Sequence, residues 1–196
     1  NLEIGKKLIS ANKKLIAENL QDLISKEKEN KGTFLYEGAV CGSIPIIRIL
    51  NDFYANEPIE SVKGIFNGSS NYILSQLFNK EVTYDEALRQ AQELGFAEAD
   101  PSSDVGGFDA LYKLVIVAAH SFGKIVQPDE VLNFGIENIN KSDIELAKKL
   151  NLKIKLIAKS ELKLGKLSLS VLPTLVDSSS DLYQVENEYN AVEINS

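Results

Sequence analysis

The chain has 196 residues and a formal net charge of −7; 44% of its residues are hydrophobic and 25% are charged. These proportions are typical of soluble globular proteins, and the length suits one ordinary domain with a single core. A negative charge without a basic stripe argues against nucleic-acid binding. No apolar run is long enough to span a membrane and no segment resembles a signal peptide, so we expect no membrane partner and a cytoplasmic location.

Two rare residue types exclude several chemistries. Cys41 is the only cysteine and His120 is the only histidine. An internal disulfide is therefore excluded, and a histidine-rich metal site or a Ser-His-Asp triad is nearly impossible. We expect Cys41 to be a packing residue, because no histidine is at hand to activate its thiol, and His120 to be an ordinary helix residue. The chain contains no methionine, so we expect it to be part of a longer polypeptide.

The first eighty residues alternate between strand and helix signals. A short strand at 8–10 precedes an amphipathic helix whose apolar side carries Leu15, Ile16, Leu20 and Leu23. A β-rich run at 33–36 leads through a glycine-containing loop to a helix with Pro45 in its first turn. A further strand, a polar turn at 67–70 and a helix ending near Asn79 follow. The order strand, loop, helix thus occurs repeatedly.

The next segment contains two helices. Thr83 and Glu86 have the spacing of a capping box, which predicts a helix that ends near Leu94. The residues from Val105 to Phe122 are apolar or small at almost every position, which predicts one helix buried on nearly all sides.

The C-terminal part predicts mainly strands. Ser142 is the predicted cap of a short helix, and residues 152–159 and 166–172 alternate around a Leu164-Gly165 turn, as a hairpin does. A closing strand is predicted at 191–194. Strands joined by short polar turns favour antiparallel pairing. We therefore expect an α+β fold, with a mixed, largely antiparallel sheet and helices packed on it.

Two charged residues interrupt the apolar stretch. Asp109 and Lys113 are four residues apart and so share one helix face, and Asp104 is the predicted N-cap of the same helix. At a solvated surface such a pair contributes only about 0.3–0.5 kcal/mol. Inside a core each unpaired charge costs several kcal/mol, so a retained pair also fits a functional site. The local sequence leaves both interpretations open.

Several segments resemble one enzyme family. The stretch AQELGFAEADPSSDVGGFDALYK resembles the signature region of the homoserine dehydrogenases residue type by residue type. LISANKKLIA, YEGAVCGSIPIIRIL, GIFNGSSNYIL and NEYNAVEI resemble other parts of that family in the same order. The 196 residues contain no GxGxxG turn, and they stop before the Gly/Ala-rich segment that follows the NAV strand in relatives. The resemblance therefore implies a remnant of the dinucleotide-binding domain at 1–30 and a substrate-binding, catalytic and dimerisation domain at 31–196. The expected fold resembles the C-terminal substrate domain of GAPDH-like dehydrogenases.

The resemblance also implies a reaction, the NAD- or NADP-dependent interconversion of L-homoserine and L-aspartate 4-semialdehyde. This step belongs to the biosynthesis of threonine, methionine and isoleucine. By carry-over Lys113 donates the proton that accompanies carbonyl reduction and takes it back in reverse, a role that suits a lysine whose pKa is lowered by desolvation. Asp104 and Asp109 orient that lysine or hold the substrate hydroxyl.

Further positions are assigned by the same resemblance. Those that bind the small zwitterionic substrate are Glu98 for the ammonium, Lys13 near the carboxylate, Ser69 and Asp109. Those near the cofactor are Asn12 and Lys13. Some relatives hold a monovalent cation, Na⁺ or K⁺, in the loop that corresponds here to Glu37, Val40, Gly42 and Ile44. Relatives often have tyrosine at the position of Phe96 and a small residue at that of Cys41.

Each assignment has a simpler alternative. Glu98 and Asp100 are also typical of a solvated turn, Lys13 and Lys14 of an exposed pair, and residues 67–70 of an ordinary turn. Two other functions also stay open: a non-catalytic amino-acid-binding or dimerisation module, and a different dehydrogenase with an α+β substrate domain. We expect the 196 residues alone to fold and to self-associate, partly because strands such as the one at 152–159 would leave an open edge or an apolar face in a monomer, but not to bind the cofactor or turn over homoserine.

Overall fold

The computed structural model describes residues 1–80 and 82–196. Within them the chain forms helices α1 (Lys13–Glu29), α2 (Ile46–Phe53), α3 (Gly68–Asn79), α4 (Tyr84–Glu93), α5 (Ser102–Val105), α6 (Phe108–Phe122) and α7 (Lys141–Lys149). The strands are β1 (Lys7–Ile9), β2 (Thr33–Leu35), β3 (Ser61–Ile65), β4 (Leu132–Asn133), β5 (Lys153–Lys163), β6 (Lys166–Val176) and β7 (Ala191–Asn195). Short 3₁₀ turns occur at Leu2–Ile4, Glu37–Ala39, Pro128–Glu130 and Asp181–Gln184.

The N-terminal strands form a small sheet of their own. β1 and β2 pair in parallel, with Lys7 opposite Thr33 and Ile9 opposite Leu35, and α1 connects them. This is the strand–helix–strand unit from which parallel sheets are built. Ile9 and Leu35 are 78% and 52% exposed, so part of this small sheet is left uncovered.

The second sheet has five strands in the order β4-β6-β5-β3-β7. Only β4 and β6 pair in parallel, and the other three pairs are antiparallel. The predicted α+β fold with a mixed, largely antiparallel sheet is therefore confirmed. The predicted open edge at residues 152–159 is wrong, because β5 lies between β6 and β3 with both of its sides hydrogen-bonded.

The hairpin of β5 and β6 was predicted at the observed turn. Lys163 pairs with Lys166, and Leu164 and Gly165 form the two-residue connection with φ of 50° and 76°. Positive φ at both central residues is the geometry that matches the right-handed twist of the flanking strands.

The helix predicted at 105–122 corresponds to α6, but it begins three residues later, at Phe108, because a separate short helix precedes it. α5 ends at Val105, and Gly107 has a φ of 81°, a left-handed conformation that a helix does not continue through. Asp104 is therefore not the N-cap of α6: it lies inside α5, and Gly107 occupies the cap position without a side-chain cap. The predicted cap Ser142 is also wrong, because Asn140 caps α7 in a capping box with Asp143.

α6 and α3 form the centre of the protein. α6 packs against β5 and β6 on one side and against α1 and α2 on another. Its residues from Leu114 to Ala118 are fully enclosed. α3 is buried along its length from Ser69 to Phe78 and packs against β5 and α4. The polar residues on these two helices are consequently held in fixed positions.

Candidate active site

The candidate site lies where β3 ends and three helices begin. Lys13 is the first residue of α1, Asn67 caps α3, and Asp109 lies in the first turn of α6. The N-terminus of an α-helix carries a partial positive charge, which favours carboxylates nearby. Packing of α1 against α6 and of α3 against α5 thus brings residues from distant parts of the sequence together.

Asp109 is the hub of the site. One carboxylate oxygen, Oδ2, lies 2.7 Å from Nζ of Lys113, and the other, Oδ1, lies 2.8 Å from Nζ of Lys13. The side chain of Asp109 is only 5% exposed, whereas those of Lys113 and Lys13 are 13% and 41% exposed. The interpretation of Asp109 and Lys113 as an ordinary surface pair is therefore excluded by their burial. Lys13 extends from the hub toward solvent.

A second lysine contact fixes the position of Lys113. Its Nζ donates a hydrogen bond of 2.7 Å to the backbone carbonyl of Phe66, the residue that follows β3. An ammonium has three hydrogens, and Asp109 and Phe66 accept two of them. The third is available for an oxygen atom of a bound ligand.

Asn67 joins the two aspartates, a contact that the sequence did not indicate. Its Nδ2 donates to Oδ1 of Asp104 at 2.7 Å and to Oδ2 of Asp109 at 2.9 Å. Its Oδ1 accepts from the backbone N–H of Ser70 at 2.7 Å, so Asn67 also caps α3. The sequence showed a turn at 67–70. The signal available was an asparagine directly between a buried strand and an apolar helix.

The pKa values of the two aspartates differ because their surroundings differ. Burial would raise the pKa of Asp109, but the charge of Lys113 and hydrogen bonds from Asn67, Lys113 and Lys13 outweigh it and lower the pKa. Burial raises the pKa of Asp104, and the nearby charges of Asp109 and Glu98 add to this, while hydrogen bonds from Asn67 and Ser69 oppose it. One carboxylate is thus held as an anion, and the other accepts a proton more readily than a free aspartate.

The remaining predicted substrate residues surround this centre. Glu98 is exposed, and its charge raises the pKa values of both Lys13 and Asp104, which places it at the rim of the site. For Lys13, burial lowers the pKa but the hydrogen bond and charge of Asp109 raise it more. Ser69 is buried, and its hydroxyl donates to the backbone carbonyl of Phe96. Ser69 therefore tethers the segment that carries Glu98 to α3.

Asp100 belongs to the turn that follows. Its carboxylate accepts a hydrogen bond of 3.1 Å from the backbone N–H of Ser102, which stabilises the entry to α5. Hydrogen bonding by Ser102 lowers the pKa of Asp100.

Three other residues singled out in the sequence are engaged in structural contacts. Oδ1 of Asn12 accepts from the backbone N–H of Leu15 at 3.0 Å and so caps α1. Cys41 is buried, and burial raises the pKa of its thiol to about 12, so the thiol stays protonated at neutral pH. His120 is hydrogen-bonded to the hydroxyl of Tyr36 at 2.9 Å and to Oδ1 of Asn51 at 3.1 Å.

The loop predicted to hold a cation has its carboxylate already in use. The two oxygens of Glu37 accept from the backbone N–H groups of Ile47 at 2.9 Å and Arg48 at 3.0 Å, in the first turn of α2. A cation in this loop would therefore depend on backbone carbonyls. In the described part of the chain no three or more His, Cys, Asp or Glu side chains are grouped as a metal site.

Cavities elsewhere do not share this convergence of charges. A cavity of about 390 Å³ lies between α3, α4 and α7, with Leu77, Tyr84 and Ile144 in its wall. Another of about 390 Å³ lies over β5 and β6. None of the described helices combines the length and apolarity needed to cross a bilayer.

Comparison with known proteins gives one consistent result. The family model for homoserine dehydrogenase matches residues 45–196. Homoserine dehydrogenase of Bacillus subtilis is 39% identical over 191 residues, covering 97% of this chain and 44% of that protein. The crystal structure of a homoserine dehydrogenase from Thiobacillus denitrificans superposes with a TM-score of 0.94 at 35% identity, covering 97% of this chain and 44% of that one.

A third relative extends the comparison to a cofactor complex. A hyperthermophilic archaeal homoserine dehydrogenase in complex with NADPH superposes with a TM-score of 0.82 at 30% identity, covering 98% of this chain and 55% of that one. The chain thus spans 44% to 55% of the length of these three relatives. Sequence similarity over most of the chain and a shared fold lead to one conclusion: the chain belongs to the homoserine dehydrogenase family.

Proposed function

We propose that this chain supplies the substrate-binding and catalytic residues for the reversible, NAD- or NADP-dependent conversion of L-homoserine to L-aspartate 4-semialdehyde. The observation that carries the proposal is the hub at Asp109, which contacts both Lys113 and Lys13 and is joined to Asp104 through Asn67. A site with two ammonium groups and two carboxylates suits a small substrate that carries both charges. The reaction places this enzyme in threonine, methionine and isoleucine biosynthesis.

Lys113 is the proposed proton donor and acceptor. During reduction its ammonium gives a proton to the aldehyde oxygen as that oxygen becomes a hydroxyl, and during oxidation the neutral amine takes the proton back. Its two fixed contacts, to Asp109 and to the carbonyl of Phe66, leave one hydrogen for this oxygen. Asp109 orients the lysine.

The ends of the substrate are bound by the outer residues of the site. Lys13 is partly exposed and provides a cation for the substrate carboxylate. Glu98 at the rim is the counter-ion for the substrate ammonium. Asp104 accepts a hydrogen bond from the substrate hydroxyl, and Ser69 adds a polar contact at the start of α3. Gripping both charged ends fixes the reacting carbon close to Lys113.

The cofactor is proposed to lie against the N-terminal part of the chain. When bound, NAD or NADP supplies or accepts the hydride. The amide of Asn12 and the ammonium of Lys13 lie at the start of α1, in the unit formed by β1, α1 and β2, and are the polar groups proposed to face it. We infer that residues 1–30 are the end of a dinucleotide-binding domain and that residues 31–196 are the substrate and dimerisation domain. The exposure of Ile9 and Leu35 supports a further covering layer on the first sheet.

Two further parts of the proposal concern ions and assembly. We propose a monovalent cation, Na⁺ or K⁺, at Glu37, Val40, Gly42 and Ile44; because the Glu37 carboxylate already accepts two backbone N–H groups, the backbone carbonyls of the loop are its main ligands. We also propose a homodimer. Its support is the outer face of the second sheet, where Lys159 and Leu172 are only partly buried. Light scattering at tens of micromolar protein tests this, and a strictly monomeric mass would contradict it.

Activity is tested with the chain joined to a dinucleotide-binding domain, by following homoserine-dependent reduction of NAD⁺ or NADP⁺. Lys113→Ala is expected to lower kcat at least ~10²-fold, which is typical for loss of a positioned proton donor. Lys14→Ala, which alters an exposed lysine beside Lys13, is the matched control and should leave kcat unchanged. A Lys113→Ala enzyme within threefold of the wild type would exclude Lys113 from the mechanism. Binding of homoserine without any turnover by the wild type would favour a non-catalytic amino-acid-binding module.

A further inference from the structure

Asn67 makes more contacts than a helix cap requires. It is 4% exposed and lies between β3 and α3. Its Oδ1 accepts from the backbone N–H of Ser70, a donor that cannot accept, so the amide orientation is fixed. Both Nδ2 hydrogens then point at carboxylates, one at Asp104 and one at Asp109.

The capping role alone does not explain why this residue is asparagine. Aspartate, serine and threonine also supply an acceptor for the backbone N–H at a helix start. Of the side chains favoured at a helix N-cap, asparagine alone combines that acceptor with an NH₂ group whose two hydrogens can reach two separate acceptors. Several residue types can therefore cap α3, but of these only asparagine can also bridge two carboxylates.

The bridge opposes the repulsion between the two aspartates. Two neighbouring carboxylates resist simultaneous ionisation, and burial of both increases the cost. Asp109 is stabilised by Lys113 and Lys13 as well. For Asp104 the hydrogen bond from Asn67 is the leading influence that lowers its pKa, against burial and the charges of Asp109 and Glu98. The nearby thiol of Cys41 stays neutral because burial raises its pKa, while the charges of Lys113 and Asp109 act on it in opposite directions.

We propose that Asn67 is a positioning residue that bridges Asp104 and Asp109 and holds both carboxylates as anions facing the substrate site. This inference rests on the proposed function for its catalytic consequence, but the bridge itself does not. With the bridge in place, Asp104 can accept a hydrogen bond from the substrate while Asp109 stays paired with Lys113. Without it, Asp104 takes up a proton more readily and loses its acceptor role, while Lys113 and Lys13 still pair with Asp109.

The test compares two variants of Asn67 with a matched control. Asn67→Asp keeps the shape and the capping oxygen but replaces the donor with a third acid, and Asn67→Ser keeps a capping oxygen without the paired donors. Asn140→Asp changes an asparagine at the equivalent cap position of α7, remote from Asp104 and Asp109. NMR titration of the aspartate carboxyl carbons of the 196-residue chain gives the readout. It does not depend on catalysis.

We expect the apparent pKa of the Asp104 and Asp109 pair to rise by at least about one unit in Asn67→Asp, and by less in Asn67→Ser. Asn140→Asp should leave both titrations unchanged. If Asn67→Asp does not fold, Asn67→Ser alone decides the matter. Titrations within about 0.3 units of the wild type in every folded Asn67 variant would overturn the proposal.

The catalytic consequence is measured separately, in the chain joined to its dinucleotide-binding domain. The acidic limb of the kcat/KM profile should move to higher pH in both Asn67 variants, by the same amount as the NMR titration. A shifted titration with an unshifted pH profile would retain the bridge and contradict the roles proposed for Asp104 and Asp109.

Discussion

The protein contains two buried ionic clusters, and they differ in what their lysines contact. In the cluster at the candidate site, Lys113 is 13% exposed and Lys13 is 41% exposed. In the second cluster Lys155 is 2% exposed and lies 3.6 Å from Glu186, which also pairs with Lys153. The two clusters lie about one turn apart along α3, because Asn67 belongs to the first and Asn71 to the second.

The second cluster is fully used by structural contacts. Nζ of Lys155 donates to Oδ1 of Asn71 at 3.2 Å and to the carbonyl of Val185 at 2.5 Å. Lys153 lies 4.3 Å from the ring centre of Tyr183. These contacts pin the segment after β6 to α3 and β5. Buried charge by itself therefore does not identify a catalytic site. A ligand needs a free donor and an opening to solvent, and of the two clusters only the one at Asp109 combines them.

The largest difference should come from changing the hub carboxylate of the first cluster. Asp109→Asn removes the negative charge that holds Lys113 and Lys13, and kcat is expected to fall at least ~10²-fold while the protein stays folded. Steady-state kinetics of the enzyme with its dinucleotide-binding domain measure this. A kcat within threefold of the wild type would contradict the role assigned to Asp109.

Lys155→Met should give the reverse result. Loss of the ammonium leaves Asn71, Val185 and Glu186 without their buried partner, so the free energy of unfolding should fall by about 2 kcal/mol. Urea unfolding gives the value, and kcat should change less than threefold. Lys163→Met on the same strand, where the lysine side chain is 76% exposed, should change the free energy of unfolding by less than about 0.5 kcal/mol. If Lys155→Met lowered the free energy of unfolding as little as the control substitution does, the second cluster would not stabilise the fold.

Glu98→Gln tests how far the first cluster extends toward solvent. Its proposed role is to pair with the substrate ammonium, so KM for homoserine should rise about tenfold with kcat nearly unchanged. Glu93→Gln alters an exposed carboxylate that pairs with Arg89 and serves as the control. A loss confined to kcat would instead move Glu98 into the proton-transfer chemistry.

Asp104→Asn should change the free energy of unfolding by less than Lys155→Met does, and the sign of the change is informative. Because the pKa of Asp104 is raised in the folded state, the ionised group costs stability at pH values above its folded pKa, and that cost vanishes below about 3.8. The variant is therefore expected to be more stable at neutral pH, by less than about 1 kcal/mol after solvent screening, yet less active. The gain should disappear as pH falls toward 4. Thermal melts across this range decide the sign, and destabilisation at neutral pH would contradict it.

Local patterns in the sequence were enough for much of the fold. The Leu164-Gly165 turn and the capping box at Thr83 and Glu86 were predicted because each depends on residues close together in the chain. The antiparallel hairpin of β5 and β6 is equally local, and it led to the prediction of a largely antiparallel sheet. The break in the helix at Gly107 was not predicted, because a glycine inside an apolar run is compatible with a helix until its φ is known. The order of the strands could not be predicted either, because β3 pairs with β5 and β7, which lie about half of the chain or more away in sequence.

For the candidate site the division is similar. Asp109 and Lys113 could be paired from their spacing, because residues four apart on a helix share a face. The family resemblance added Asp104, Glu98 and Lys13 as residues expected in the same site. Only the tertiary structure revealed that Asn67 bridges the two aspartates. Only packing could show this, because no local pattern distinguishes an asparagine that caps a helix from one that also donates to two buried carboxylates.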